Sequence, residues 1–244
     1  MKRNKSVKSI GVLVFAMFAF LIMALAPASA VAGYYTGWEI KNTPSNISLG
    51  VKATINTVDP TIAAGSTSSV SYSISVNFAS GDWVQFGYLE DYYRPNPRSG
   101  LVYCSTPTLY VEHGVSGVIL SAEVITLGTV AVGSTHTYDL HWTGMSGALN
   151  VWSCYLDGVL KYNQLTSGWD LYPANVNVQG ESKHTGDYST SHAYFNALKY
   201  GKWVYPKNMP RQFQWSDWNG YSDAGSDGDW RIVKGVNSME VWLL

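Results

Sequence analysis

Gln85 and Glu181 are the residues whose type and setting suggest chemistry. A glutamate can take a proton from a water that attacks a carbonyl, then return it to the leaving amine. A neutral glutamine amide can orient that water and donate a hydrogen bond to the developing oxyanion. Gln85 stands in Trp83-Val84-Gln85-Phe86-Gly87-Tyr88, and Glu181 in Asn175 to Lys183. Residues two apart share a face of a strand. Val84, Phe86 and Tyr88 therefore oppose Trp83, Gln85 and Gly87, while Val176 and Val178 share a side with Gly180 and oppose Asn175, Asn177, Gln179, Glu181 and Lys183. Both polar residues thus lie opposite the apolar set of their strand. Far apart in the chain, they can meet only across a sheet. Gly87 and Gly180 lack side chains where a substrate backbone would approach. Trp83, Tyr110, Tyr194 and Asn196 are the aromatic and amide candidates for lining subsites.

Other chemistries are excluded by what the chain lacks. There is no GxSxG serine elbow, no HExxH zinc motif, no phosphate-binding glycine loop and no GxGxxG. His113, His136, His141, His184 and His192 form no metal-ligand pattern, and His136 and His141, five apart on one strand, face opposite sides. Glu90 and Asp91 are adjacent and likewise point apart, unlike the paired acids of sandwich-fold glycosidases. The acidic stretch Asp223 to Asp229 reads either as a solvated turn or as a Ca²⁺ loop; it does not fit the EF-hand pattern. No cofactor and no metal are expected.

The elements that must position these residues are strands. From Gly33 onward no helical period stands out, and short β-rich runs recur between Gly, Pro, Ser and Asp. The runs are 34–40, 51–58, 68–78, 82–90, 106–113, 118–127, 135–142, 149–156, 159–162, 174–184, 193–200, 211–215, 230–234 and 239–243. Asp157-Gly158 marks a two-residue hairpin turn. Strands at this spacing predict an all-β sandwich or barrel. Several strands pair an apolar face with one of amides, aromatics and a carboxylate. That second face is either a solvated outer sheet or the concave groove of a curved sheet that takes a polymer.

The chain has 244 residues, 14% of them charged and 14% aromatic, and a net charge of −1. Such a composition excludes intrinsic disorder and a basic nucleic-acid binder. Residues 1–9 carry Lys2, Arg3, Lys5 and Lys8 and no acid; an apolar run from Ile10 to Ala26 and Pro27-Ala28-Ser29-Ala30 follow. This is the form of a secretory signal cleaved after Ala30, with Ala32 as a second candidate and an uncleaved anchor as the alternative. Cleavage leaves residues 31–244 as a mildly acidic secreted domain, expected to be a monomer free of the membrane. In an oxidising compartment Cys104 and Cys154 read as a disulfide, the alternative being two buried thiols. Asn46-Ile47-Ser48 is a glycosylation sequon. One domain is expected over 31–244, with a Trp-rich stretch, 201–244, packing on as extra strands and a long loop.

The runs Trp83 to Tyr88 and Val178-Gln179-Gly180-Glu181 resemble the glutamic peptidases, secreted acid proteases on a concanavalin-like double sheet. Gly50-Val51-Lys52-Ala53-Thr54-Ile55-Asn56 is similar to the opening strand of the neprosin-like group. Gln179-Gly180-Glu181 is similar to its Gly-Gly-Glu with a catalytic glutamate, and Tyr194-Phe195-Asn196 to its closing strand. The second neprosin acid would fall on Gln85. Gln85-Phe86-Gly87 resembles instead the Gln-x-Gly context of the eqolisin, or scytalidoglutamic, dyad. The resemblance covers roughly residues 50–200. It implies a concanavalin-like antiparallel β-sandwich (jelly roll), with Glu181 as general base and Gln85 as water-orienting and oxyanion donor, acting on polypeptide at acidic pH. Trp83, Gly87, Tyr110, Gly180, Tyr194 and Asn196 would bind substrate. Two other readings stay open: a non-catalytic sandwich that binds carbohydrate or another extracellular polymer, and a structural surface protein.

Overall fold

The computed structural model describes residues 34–43, 47–60, 69–96, 98–114, 122–166, 171–182, 192–204, 206–207, 209–218, 222–224 and 230–243. The signal segment, the sequon asparagine, and Asp227 and Asp229 of the acidic stretch lie outside them. Among the described residues every regular element is a strand. In chain order they are β1 (Tyr34–Lys41), β2 (Gly50–Asn56), β3 (Ser69–Phe78), β4 (Trp83–Tyr93), β5 (Val102–Gly114), β6 (Glu123–Thr129), β7 (Thr135–Ser146) and β8 (Leu149–Leu156). There follow β9 (Val159–Thr166), β10 (Pro173–Ser182), β11 (Ala193–Val204), β12 (Gln212–Asp217), β13 (Ser222–Ala224), β14 (Trp230–Lys234) and β15 (Ser238–Leu243).

Two antiparallel sheets face each other, the concanavalin-like sandwich that the family resemblance implies. The first runs β13-β1-β10-β3-β4-β5-β6, and the second β14-β15-β11-β2-β7-β8-β9 with β12 paired to β11. Between them lies the core: Trp38, Tyr72, Ile74, Val76, Val84, Phe86, Tyr138, Trp152, Val178 and Phe195 are all fully buried. Each large aliphatic side chain removed from water in this way contributes about 1.5–3 kcal/mol. Asp157 (φ 52°) and Gly158 (φ 79°) turn β8 into β9, both in the left-handed region that a type I′ hairpin requires.

The C-terminal stretch enters both sheets. β13 pairs with β1 at one sheet edge, and β14 and β15 extend the other sheet beyond β11. Trp218 and Trp230 are core residues. Part of the tryptophan excess is therefore accounted for by packing between the sheets. β13, only three residues long, has too little sequence to show a period and was not among the predicted runs.

The expected disulfide is absent: Cys104 and Cys154 are both free. Cys154, on β8, points into the core between the sheets. Cys104, on β5, packs with Leu89, Tyr110 and Val124 on the outward face of the other sheet, and its Sγ donates to the carbonyl of Asp91 at 3.1 Å. The backbone of the first sheet separates the two thiols.

Candidate active site

The outward face of the first sheet is polar along four adjacent strands. β3 contributes Ser69, Ser71, Ser73, Ser75 and Asn77, alternating with core-facing Val70, Tyr72, Ile74 and Val76. Strand register orders the face into rungs. Asn177, Ser75, Gln85 and Glu112 form one; Gln179, Ser73, Gly87 and Tyr110 the next; Glu181, Ser71 and Leu89 the third. Gln85 and Glu181 are thus two strands and two rungs apart, and their side chains must lean toward each other to meet. They do: Gln85 Nε2 lies 3.4 Å from Glu181 Oε2, a long contact by hydrogen-bond standards.

Gln85 is held more firmly by its nearer neighbours. Its Nε2 donates to Tyr110 Oη at 2.6 Å and to Ser73 Oγ at 2.8 Å. Gln85 is 4% exposed and Ser73 fully buried, so these bonds form where water does not compete. Gly87 occupies the middle rung, between Ser73 and Tyr110. A Cβ there would stand 2.1 Å from the Tyr72 carbonyl oxygen. The strand therefore needs glycine at this point, and no side chain stands between Gln85 and its two hydroxyl partners.

Beside this cluster is a shallow recess with room for about one water molecule. Glu181, Glu112, Ser69 and Ser71 line it with polar atoms, and Leu89, Val124 and the rings of Tyr93 and Tyr110 form its apolar part. Tyr110 is buried beneath it. Its phenol is pushed well above its ordinary value of 10, first by burial and then by the charges of Glu112 and Glu181. It is a neutral hydroxyl throughout the physiological range. Among the described residues no group of three or more His, Cys, Asp or Glu side chains is arranged to hold a metal ion.

The other proposed subsite residues divide. Trp83 is on the same face, one rung beyond Gln85, with its ring over Gly114, where a Cβ would come within 2.0 Å of it. Gly180 faces the core instead: a Cβ would meet the Trp230 ring at 2.7 Å. It makes room for a tryptophan, not for substrate, on the side it shares with Val176 and Val178. Tyr194 and Asn196 are on β11, in the other sheet, and face outward there. They cannot line a groove that holds Gln85. Tyr194 is bonded to Glu240, which also holds His192, and His192 stacks on Trp242 at 4.3 Å. Ser73 and Glu112 were not singled out from the sequence. The signal was present in the Ser alternation of β3 and in Tyr110-x-Glu112, both opposite apolar sets.

No family model matches the chain, and no curated protein does. Solved structures do. Scytalido-glutamic peptidase in complex with a transition state analog inhibitor superposes with a TM-score of 0.51 at 12% identity, over 88% of this chain and 100% of that one. The same peptidase with a peptide-based transition state analog gives 0.50 at 11%, with the same coverage. The chain thus has the double-sheet fold of the glutamic peptidases. At that identity the likeness is one of fold.

Proposed function

We propose that this chain is a secreted hydrolase of the glutamic endopeptidase type, released after Ala30 and acting on peptide bonds at acidic pH. Glu181 is the general base, taking a proton from the attacking water. Gln85 orients that water and donates to the oxyanion as the carbonyl becomes tetrahedral. With glutamine at 85, the pair follows the eqolisin pattern and departs from the two acids of neprosin. The observation that carries the reading is the 3.4 Å approach of Gln85 Nε2 to Glu181 Oε2, beside a recess of about one water's size. Tyr110 and Ser73 hold the amide in place. As the oxyanion forms, Nε2 exchanges one of its present acceptors for it.

The test is casein hydrolysis by residues 31–244 between pH 2 and 7, with and without pepstatin, alongside Glu181→Gln. Hydrolysis that resists pepstatin and is lost in Glu181→Gln is expected. No hydrolysis at any pH, or an unchanged Glu181→Gln, ends the peptidase reading. Glycan binding without hydrolysis would move the proposal to the polymer-binding alternative.

A further inference from the structure

Asn177 shares the outward face of the first sheet with the dyad, which leaves it without a role. It stands on the rung of Gln85, and only Ser75 lies between the two. Asn177 is 7% exposed. Its Nδ2 donates to Gln179 Oε1 at 3.4 Å, a long bond. Its carbonyl oxygen, Oδ1, is buried with no hydrogen-bond partner among the described residues. The neighbours on the face are served. Asn77 Nδ2 donates to Asn175 Oδ1 at 2.7 Å and to Ser75 Oγ at 3.4 Å, and Gln85 is held by Ser73 and Tyr110. Buried polar groups are as a rule hydrogen-bonded, and one that is not calls for an explanation. An apolar side chain of the same shape would carry no such cost. An acceptor kept open beside a candidate active site is explained by a donor that arrives with the substrate.

We infer that Asn177 is a substrate-binding residue whose Oδ1 accepts a hydrogen bond from one backbone N–H of an extended polypeptide substrate. The inference rests on the peptidase reading and deepens it. Two strand spacings, about 10 Å, separate Asn177 from Gln85. An extended chain advances about 3.3 Å per residue, so this N–H belongs to a residue about three from the scissile bond. Ser75, with its short side chain, lets the substrate lie across the rung. Turning the amide about its last side-chain bond, which the long contact to Gln179 barely opposes, presents Oδ1 to that chain. Every residue except proline supplies the N–H. The contact therefore reads the backbone at this one position and refuses proline there.

The experiment pairs changes in the enzyme with changes in the substrate. A cleaved peptide is remade as a set in which one amide at a time, never the scissile one, becomes an ester and so loses its N–H. Wild type, Asn177→Leu, Asn177→Asp and Glu181→Gln are assayed on the whole set. A single ester, about three residues from the scissile bond, should lower wild-type kcat/KM about tenfold, mostly through KM. Proline at that position should lower it at least as much. Asn177→Leu should lose about tenfold on the all-amide peptide, and the same ester should then cost it nothing further. Esters elsewhere should affect wild type and Asn177→Leu alike. Asn177→Asp keeps an acceptor oxygen and should stay sensitive to that ester. Each variant is its own reference across the set, so a partly folded preparation does not alter the ratios. A wild type indifferent to every ester overturns the inference, as does an Asn177→Leu that loses as much as wild type on the sensitive one. If either result comes while Glu181→Gln is inactive, the peptidase reading stands and this one falls. If wild type cleaves no peptide, both fall.

Discussion

The outward faces of the two sheets use the same alternation to different ends. On the second sheet, His141 stacks between Tyr155 at 5.3 Å and Phe213 at 5.1 Å. Its Nδ1 meets Asp139 Oδ1 at 2.5 Å, and Asp139 Oδ2 meets Lys52 Nζ at 2.8 Å. Lys52 in turn lies 4.4 Å over the Trp215 ring. Ring, acid and cation satisfy one another, and the face closes on itself. On the first sheet Glu181 and Glu112 line a recess next to a buried amide held by two hydroxyls. Glycine serves both faces. Gly87 leaves the middle rung open between Gln85 and its partners, whereas Gly201 leaves space that the Phe213 ring fills, with a Cβ only 2.3 Å from it. Aromatic richness alone is therefore a poor guide to function here. A buried amide held by hydroxyls beside a recess is the better one.

The strongest way to break this contrast is to truncate one polar residue on each face. Gln85→Ala should lower kcat on peptide roughly 10²–10³-fold, the usual cost of an oxyanion donor. His141→Ala should leave kcat within about twofold, since an outward cluster on the other sheet touches no reacting atom. A steady-state assay on both variants decides it. Comparable losses would mean that the second face takes part in catalysis.

A smaller effect comes from the two glycines. Gly87→Ala and Gly201→Ala each force overpacking, which costs about 1–3 kcal/mol. Urea denaturation should show destabilisation in both. Only Gly87→Ala should also lose activity beyond what its stability explains, because its new methyl lies against the backbone of β3 beside Ser73, one of the two groups that fix Gln85. Equal activity in the two folded variants would sever the link between the Gly87 rung and the site.

What the sequence disclosed follows the same physical line. Alternation within β4 and β10 sets Gln85 and Glu181 opposite their apolar neighbours, and it is legible because one face of each strand is packed. The Asp157-Gly158 hairpin is legible from turn chemistry. Which strands lie side by side is not, since register between β10 and β4 depends on β3 coming between them. Tyr194 and Asn196 show the limit: their outward direction could be read, but not the sheet to which β11 belongs. Gly180 shows another. It was expected beside substrate, but its space is taken by Trp230, fifty residues later. Cys104 pairs with Asp91 (φ 78°) across a register shift between β4 and β5, so neither its face nor its distance from Cys154 could be counted along the chain.

That register shift also yields the mildest prediction, on the inner side of the strand that carries Gln85. Glu90 is buried toward the core end of β4, with Oε2 lacking a hydrogen-bond partner among the described residues. Burial first, then the nearby charges of Asp59 and Asp91, raise its pKa from 4.5 to about 7. A raised carboxyl pKa means that the folded chain holds this proton after the unfolded chain has released it. Stability from this group is therefore full below about pH 4.5, falls as pH rises to about 7, and then levels off. Because the carboxyl is partly screened by solvent, the change should be about 1 kcal/mol or less. Glu90→Gln, neutral at every pH, should flatten this slope and be more stable than wild type at pH 8. Urea denaturation of both proteins at pH 4.5 and pH 8 measures it. Parallel slopes in the two would show that Glu90 does not titrate in this window. A wild type that unfolds more readily as pH rises, while Glu181→Gln shows the same trend, would place the pH dependence of stability on the inner carboxyl.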